Sequence, residues 1–379
     1  MRAIDNNPYF SKGFINKFLN KVFPFKFWGN LLLGIVFSIL IMQAPIYLAN
    51  YLELKKFGLE AVGKMWAMND YSGYAQSLFA VPIYIAVREL VAKSFNSVIN
   101  NFNDTVVENE SLKILKKRSE SIIKIFTSKW LEIALLVLCF AIPIATYISE
   151  WQGAIQCWYL FEVNGARFMT FAGIYAWFFT IPIYMFLTFY WIRQIIIWGV
   201  VLFVFSRAKI KYNAYIPDGY CGIGFLQDSI RSFSLLVFAQ GVIQIATILY
   251  KINEQSLPLY SFNVVVLVVS YIILAPALFI IPMTFFTRKI KDEKDSKIDT
   301  LTENSRLVMN SDKDENEKIA IYNETITTID SISKIKVMPV DFQSILRLFL
   351  SAFVPMLPII VQFAGLNVPQ WIVDLLGNI

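Results

Sequence analysis

The 379-residue chain contains no histidine. That removes the commonest general base and the commonest protein metal ligand at once. Cysteine is nearly absent too: Cys139, Cys157 and Cys221 lie in separate segments with no CxxC spacing, so neither a zinc site nor a disulfide framework is indicated. No nucleophile elbow, HExxH motif or pair of acids at useful spacing occurs, so no catalytic, cofactor-binding or metal-binding residue is expected. Charge is scarce as well. Charged residues make up 16% of the chain, against about 25% in a soluble domain. Their place is taken by apolar and aromatic side chains, at 56% and 16%, with a mean hydropathy of +0.54. This composition excludes a disordered chain and an ordinary soluble enzyme, and it points to a polytopic membrane protein. In that setting the net charge of +6 is a topology signal, and no nucleic-acid partner is expected.

A membrane-crossing helix needs about 20 mostly apolar residues. Seven stretches meet or approach this: 28–49, 73–92, 130–149, 169–192, 232–250, 263–286 and 346–364. The second is the weakest, because Arg88 and Glu89 sit near its end. The fourth continues to Phe205, interrupted by Arg193 and Gln194. The first is too long for a cleavable signal core and is followed by no A-x-A site, so it reads as a retained anchor. Assigning alternate sides to successive loops puts 29 of the 34 lysines and arginines on one side and 5 on the other. The basic side faces the cytoplasm. The expectation is an all-α bundle of seven spans in the bacterial inner membrane, N-terminus inside and C-terminus outside. The rival has six spans, with 73–92 lying in the interface.

The chain then divides into a basic amphipathic helix within 1–27, spans one to six over 28–286, a charged cytoplasmic segment at 287–345, and the last span with a short outside tail at 346–379. In the first, Phe10, Phe14, Phe18 and Val22 share a face beside Ile15 and Leu19, and Lys12, Lys17 and Lys21 occupy the rest. Such a helix lies against anionic lipid or simply anchors the first span. Residues 91–102, 111–129 and 194–206 read as span extensions. A helix apolar on all faces must be covered, so these extensions build a helical cytoplasmic layer or pack in a homo-oligomer. Residues 291–325, with KDEKDSK and SDKDENEK, read as a solvated helix or a mobile loop.

The most informative segment is YIPDGYCGIGFL, 215–226. Pro217, Asp218 and Gly219 form a turn signal, and Gly222 and Gly224 permit close backbone approach. Two readings stay open: a rigid elbow into span five, or a ligand-binding or gating loop built on Asp218, Gly219, Gly222 and Gly224. The segment resembles a family of uncharacterised bacterial multi-pass membrane proteins whose loop reads about H-P-D-x-x-G-G-L-G-F-L after a Trp- and Arg-bearing apolar helix. Here that helix is YWIRQIIIW, 190–198, and the loop keeps Pro217, Asp218, Gly222, Gly224, Phe225 and Leu226. Ile216 stands in place of the histidine and Cys221 in place of the first paired glycine. Residues 336–359 resemble the family's ending. The resemblance implies a membrane fold and no activity.

Few polar groups sit within the spans. Gln240 and Gln244 share a face of span five, either bonding neighbouring helices or lining a polar path. Arg193 interrupts an apolar run and calls for an acidic or carbonyl partner, while Arg88, Glu89 and Glu132 lie at the same ends of their spans, where snorkelling or pairing suffices. Pro-Ile-Tyr recurs at 45–47, 82–84 and 182–184, either a decayed two-span repeat or coincidence. The functional expectation is an oligomeric channel or uncoupled permease. The alternative is a membrane-anchored sensor or scaffold acting through its cytoplasmic layer.

Overall fold

A computed structural model describes residues 7–57, 67–102, 109–152, 158–163, 166–207, 219–220, 222–253, 262–311 and 314–363. The chain opens with α1 (Pro8–Ser11) and α2 (Phe14–Val22). The first long apolar run is α3 (Phe27–Phe37), a π-helical turn (Ser38–Gln43) and α4 (Ala44–Phe57). The second is α5 (Tyr71–Tyr74), a π turn (Ala75–Ala80) and α6 (Val81–Asn101). Next come α7 (Asn109–Phe126) and α8 (Lys129–Gln152), separated by a break at Thr127 and Ser128. A small antiparallel hairpin, β1 (Leu160–Val163) with β2 (Ala166–Met169), pairs Leu160 with Met169. It is the one departure from helix and turn among the described residues. The third long run is α9 (Phe171–Tyr175), a π turn (Ala176–Thr180) and α10 (Ile181–Ser206). Then follow α11 (Gln227–Asn253), the 48-residue α12 (Phe262–Met309), α13 (Glu315–Ser333), α14 (Phe342–Phe353) and α15 (Leu357–Phe363).

Five of these runs are long and apolar enough to cross a membrane: Phe27–Lys56, Lys129–Ile148, Phe171–Ser206, Gly224–Tyr250 and Phe342–Val361. A sixth is added if Tyr271–Ala277 and Ile280–Met309, bent by 44°, form one span. The structure thus has an all-α architecture with five or six candidate spans, compatible with an integral membrane protein. The remaining apolar stretch, 73–92, is not at the periphery. It lies within the second run, whose α6 packs between α3 and α11 and buries Val87, Val91 and Phe95 completely. The core continues towards the C-terminal end of α6 as an aromatic column. Phe95 stacks on Trp198 at 4.0 Å between ring centres, and Phe102 sits 4.6 Å from Phe205 and 5.8 Å from Phe286.

Within 291–325, residues 291–309 and 315–325 are helical. α12 runs on to Met309, and α13 packs back against it, so charge density here produced a solvated helical hairpin and not a loop.

The three Pro-Ile-Tyr sites share one local structure. In each, the residue before the proline donates its N–H five residues back: Ala44 to Ile39, Val81 to Gln76, and Ile181 to Ala176. A proline inside a helix has no N–H and its ring strikes the carbonyl four residues earlier. Adding one residue to that turn moves the carbonyl aside, which is the π bulge. Pro143, at the fourth comparable place, lies within α8 with no such turn. The bulges also adjoin one another. Ile41, whose helical donor would have been Pro45, accepts instead from the Tyr175 hydroxyl at 2.6 Å. The Met42 carbonyl accepts from Thr180 Oγ1 at 3.3 Å. Gln43 donates its amide to Ser77 Oγ and, at 3.1 Å, to the Gly73 carbonyl. Each bulge therefore receives or gives hydrogen bonds through a neighbouring one, which is how membrane helices tolerate proline.

This pairing is testable by a double-mutant cycle. Tyr175→Phe should cost about 0.5–2 kcal/mol in detergent unfolding titrations, the range for one lost hydrogen bond. In a Pro45→Ala background, where the Ile41 carbonyl regains a helical donor, the same change should cost markedly less. Equal costs in both backgrounds would separate the tyrosine from the proline.

Candidate functional site

Four buried ionisable residues converge where α2, α6, α8 and α10 meet. Arg88, Glu89, Glu132 and Arg193 are each no more than 3% exposed, so none of them snorkels to solvent. Arg193 Nη1 lies 3.3 Å from Glu132 Oε1. The same carboxylate reaches the start of α2, accepting from the Phe14 amide at 2.8 Å and the Ile15 amide at 3.4 Å. A helix N-terminus presents unpaired N–H groups and a partial positive charge, so a carboxylate from another helix is a strong cap. The approach requires glycine at position 13. Its φ is +91°, and a Cβ there would lie 2.5 Å from Glu132 Oε1.

The N-terminal helix is therefore docked into the bundle on one side. Phe10, Ile15 and Leu19 are buried, whereas Phe14, Phe18 and Val22 remain exposed. The expected single face including Phe10 is split because Gly13 ends α1 and re-aims the chain. Asparagines fix this segment. Asn7 donates to the Ala92 carbonyl at 3.2 Å, Asn16 to the Tyr9 and Lys12 carbonyls, and Asn20 to the Phe10 carbonyl at 3.0 Å. Asn20 Oδ1 also accepts from Arg88 Nη2 at 2.7 Å. Arg88 Nε donates to the Tyr190 hydroxyl at 3.2 Å, and the guanidinium carbons of Arg88 and Arg193 both lie within 5.4 Å of the Tyr190 ring centre. Burial pushes the Tyr9 phenol up to about 12, against a smaller opposing pull from Ser119, so it keeps its proton. The sequence reading passed over these asparagines and Tyr190. The signal available was the density of asparagine in the first 30 residues, at positions 6, 7, 16, 20 and 30.

Gln240 does not stand free in a path. Its Oε1 accepts from the Tyr84 hydroxyl, and its amide lies 3.4 Å from the Tyr184 hydroxyl. These are the tyrosines of two Pro-Ile-Tyr sites. Gln244, one turn on, is half-buried.

Of the loop residues, Asp218 lies outside the described residues, as do Pro217 and Cys221. Gly219 and Gly222 have φ of +71° and +88°. Gly224 instead opens a short 3₁₀ turn, Gly224–Leu226, and is buried. The Gly219 carbonyl accepts from the Lys336 amide at 3.0 Å, and Lys336 Nζ lies 5.7 Å from the Tyr220 ring centre. Ile223 and Leu226 are fully buried. The loop is thus joined to the segment that follows α13, and Lys294 joins α12 to the same segment through the Ser333 and Ile335 carbonyls at 2.5 and 3.2 Å.

The arrangement suits holding helices together. Among the described residues no group of three acid or cysteine side chains suits a metal. No protein-family model, curated protein or solved structure matches the chain.

Glu132→Ala should destabilise by about 3–5 kcal/mol, because it leaves the buried Arg193 unpaired. It should also speed protease cleavage before residue 27, since α2 loses its cap. Unchanged cleavage would mean that α2 is held by apolar contact alone. In the loop, Gly219→Ala and Gly222→Ala should each cost about 1 kcal/mol or more in thermal unfolding, as L side chains resist positive φ. A backbone-strain penalty of that kind is not expected for Gly224→Ala.

Proposed function

We propose that the chain is a multi-pass protein of a bacterial inner membrane, with its N-terminus inside, that works as a sensor or scaffold through a rigid cytoplasmic helical hairpin. The division of basic residues supports the orientation, and the apolar helices support the membrane setting. The observation that carries the reading is the hairpin itself. Beyond its apolar part, α12 extends about 23 residues, roughly 35 Å of helix. α13 returns along it, burying Ile332 and leaving Ile319, Tyr322 and Ile326 exposed along the opposite stripe. Lys294 and Lys336 clamp its root to the loop after α10. Movement within the bundle would reach the hairpin through that joint, and an exposed apolar stripe is a surface for a partner.

A channel or uncoupled permease draws less support, since of the two roles open to Gln240, bonding neighbouring helices or lining a polar path, its bonds with Tyr84 and Tyr184 favour the first. The exposed Phe14, Phe18, Phe25 and Trp28 beside Lys12, Lys17 and Lys21 support contact of the N-terminal helix with the anionic leaflet.

Reconstitution into liposomes separates the readings. The expected result is ion and small-solute flux no greater than in empty vesicles. Alongside it, Ile319→Ser, Tyr322→Ser and Ile326→Ser together should leave membrane insertion and unfolding midpoint unchanged, because these side chains support no internal packing. Reproducible flux, lost in Gln240→Leu, would overturn the scaffold reading in favour of a conduit.

A further inference from the structure

A groove of about 470 Å³ lies outside the charge cluster, between α11 and α14. Its floor is one side of α14. Gln343, Arg347 and Ser351 recur every four residues, and Leu346, Leu350 and Val354 form a parallel apolar row. Phe238 of α11 supplies the facing wall. The groove belongs to a run, Phe342–Val361, that is apolar enough to cross a membrane, so its outer side faces lipid.

An arginine in that position needs an explanation. Arg347 is exposed, and its guanidinium makes no hydrogen bond or ion pair with a described residue. The acidic residue nearest in sequence, Asp341, is turned onto the start of α14, where it accepts from the Ser344 amide at 2.8 Å. Arg347 sits about 8 Å along the axis from the first residue of α14, the depth at which a snorkelling guanidinium meets headgroup phosphates. From Gln343 to Val354 the groove spans about 16 Å, close to the length of one leaflet's hydrocarbon. Gln343 and Arg347 lie towards the start of α14, and the apolar row beside them continues to Val354, so the groove has the length and volume for one acyl chain below a headgroup.

We propose that the α11–α14 groove binds an anionic phospholipid of the inner leaflet. Arg347 and Gln343 receive the phosphate, and one acyl chain lies along Leu346, Leu350, Val354 and Phe238. Charge decides for lipid over a second copy of the chain. In a two-fold dimer through this face the polar row would meet itself, setting Arg347 against its own copy. The inference rests on the membrane-embedded reading above but not on the role given to the hairpin.

The test is native mass spectrometry of the detergent-purified full chain, titrated with phosphatidylglycerol or with phosphatidylcholine. The parent should retain phosphatidylglycerol preferentially. Arg347→Gln should lower that retention about five-fold, the effect of one basic residue at an anionic surface, and leave phosphatidylcholine unchanged. A change at this exposed side chain, which bonds no described residue, should not disturb folding, which thermal unfolding checks. A triple Lys12→Gln, Lys17→Gln, Lys21→Gln variant should keep most of the preference. The proposal is overturned if Arg347→Gln leaves the preference intact, if the lysine variant alone abolishes it, or if Arg347→Gln converts a dimer to a monomer without altering lipid retention. Carbonate extraction of the chain from membranes would instead defeat the membrane-embedded reading on which it stands.

Discussion

One carboxylate, Glu132, holds together three parts of the chain that lie far apart in sequence. It neutralises Arg193 on α10, it caps α2 near the N-terminus, and it does both from the first turn of α8. A buried guanidinium and an uncapped helix end are each costly, and here the two costs offset through one group. At the opposite end of the bundle the same device recurs. Glu53 of α4 accepts from the amides of Phe171 and Ala172, 2.5 and 3.3 Å away, at the start of α9. The two ends of the bundle are thus fastened by side chain to backbone, between helices that are not sequence neighbours.

Between those ends the polar groups of the spans are spent on one another. Tyr84, Gln240 and Tyr184 bond across α6, α11 and α10. In hydrocarbon such contacts carry register as well as modest energy, because apolar packing alone does not distinguish one rotation of a helix from another. These bonds tie three helices of the bundle to one another at one level.

Much of this was legible in the sequence. Five of the seven apolar stretches overlap candidate spans and 263–286 overlaps the bent pair, because length and hydropathy act locally, whereas 73–92 matches no candidate span. The turn signals at Gly219 and Gly222 were equally local, and positive φ falls at these two and not at Gly224. The need of Arg193 for a partner was visible, but the partner was not, since Glu132 lies 61 residues away and only the packing of α8 on α10 brings them together. The docking of α2 was hidden for a different reason. Its lysines and phenylalanines have the pattern of a surface helix, whereas its position is set by Asn7, Asn16 and Asn20, whose bonds go to backbone groups that carry no sequence signature. The second apolar stretch looked weakest because it contains Arg88 and Glu89, yet those charges mark it as a central helix of the bundle.

The π bulges carry a consequence for the faces of the helices. Each wedges one extra residue into a turn, so everything beyond it is rotated by about 100° relative to the part before. In the first run, Asn30 and Gly34 are buried before the bulge, and Ile46, Asn50 and Leu54 after it. With Ser38 and Met42, buried within the widened turn, the inward positions keep a step of four from 30 to 54. A helical wheel at 100° per residue drawn across residues 27–57 would turn these positions by about 40° at each step and spread them around most of the helix. Two half-helices, drawn separately on either side of Pro45, show the inward side of each.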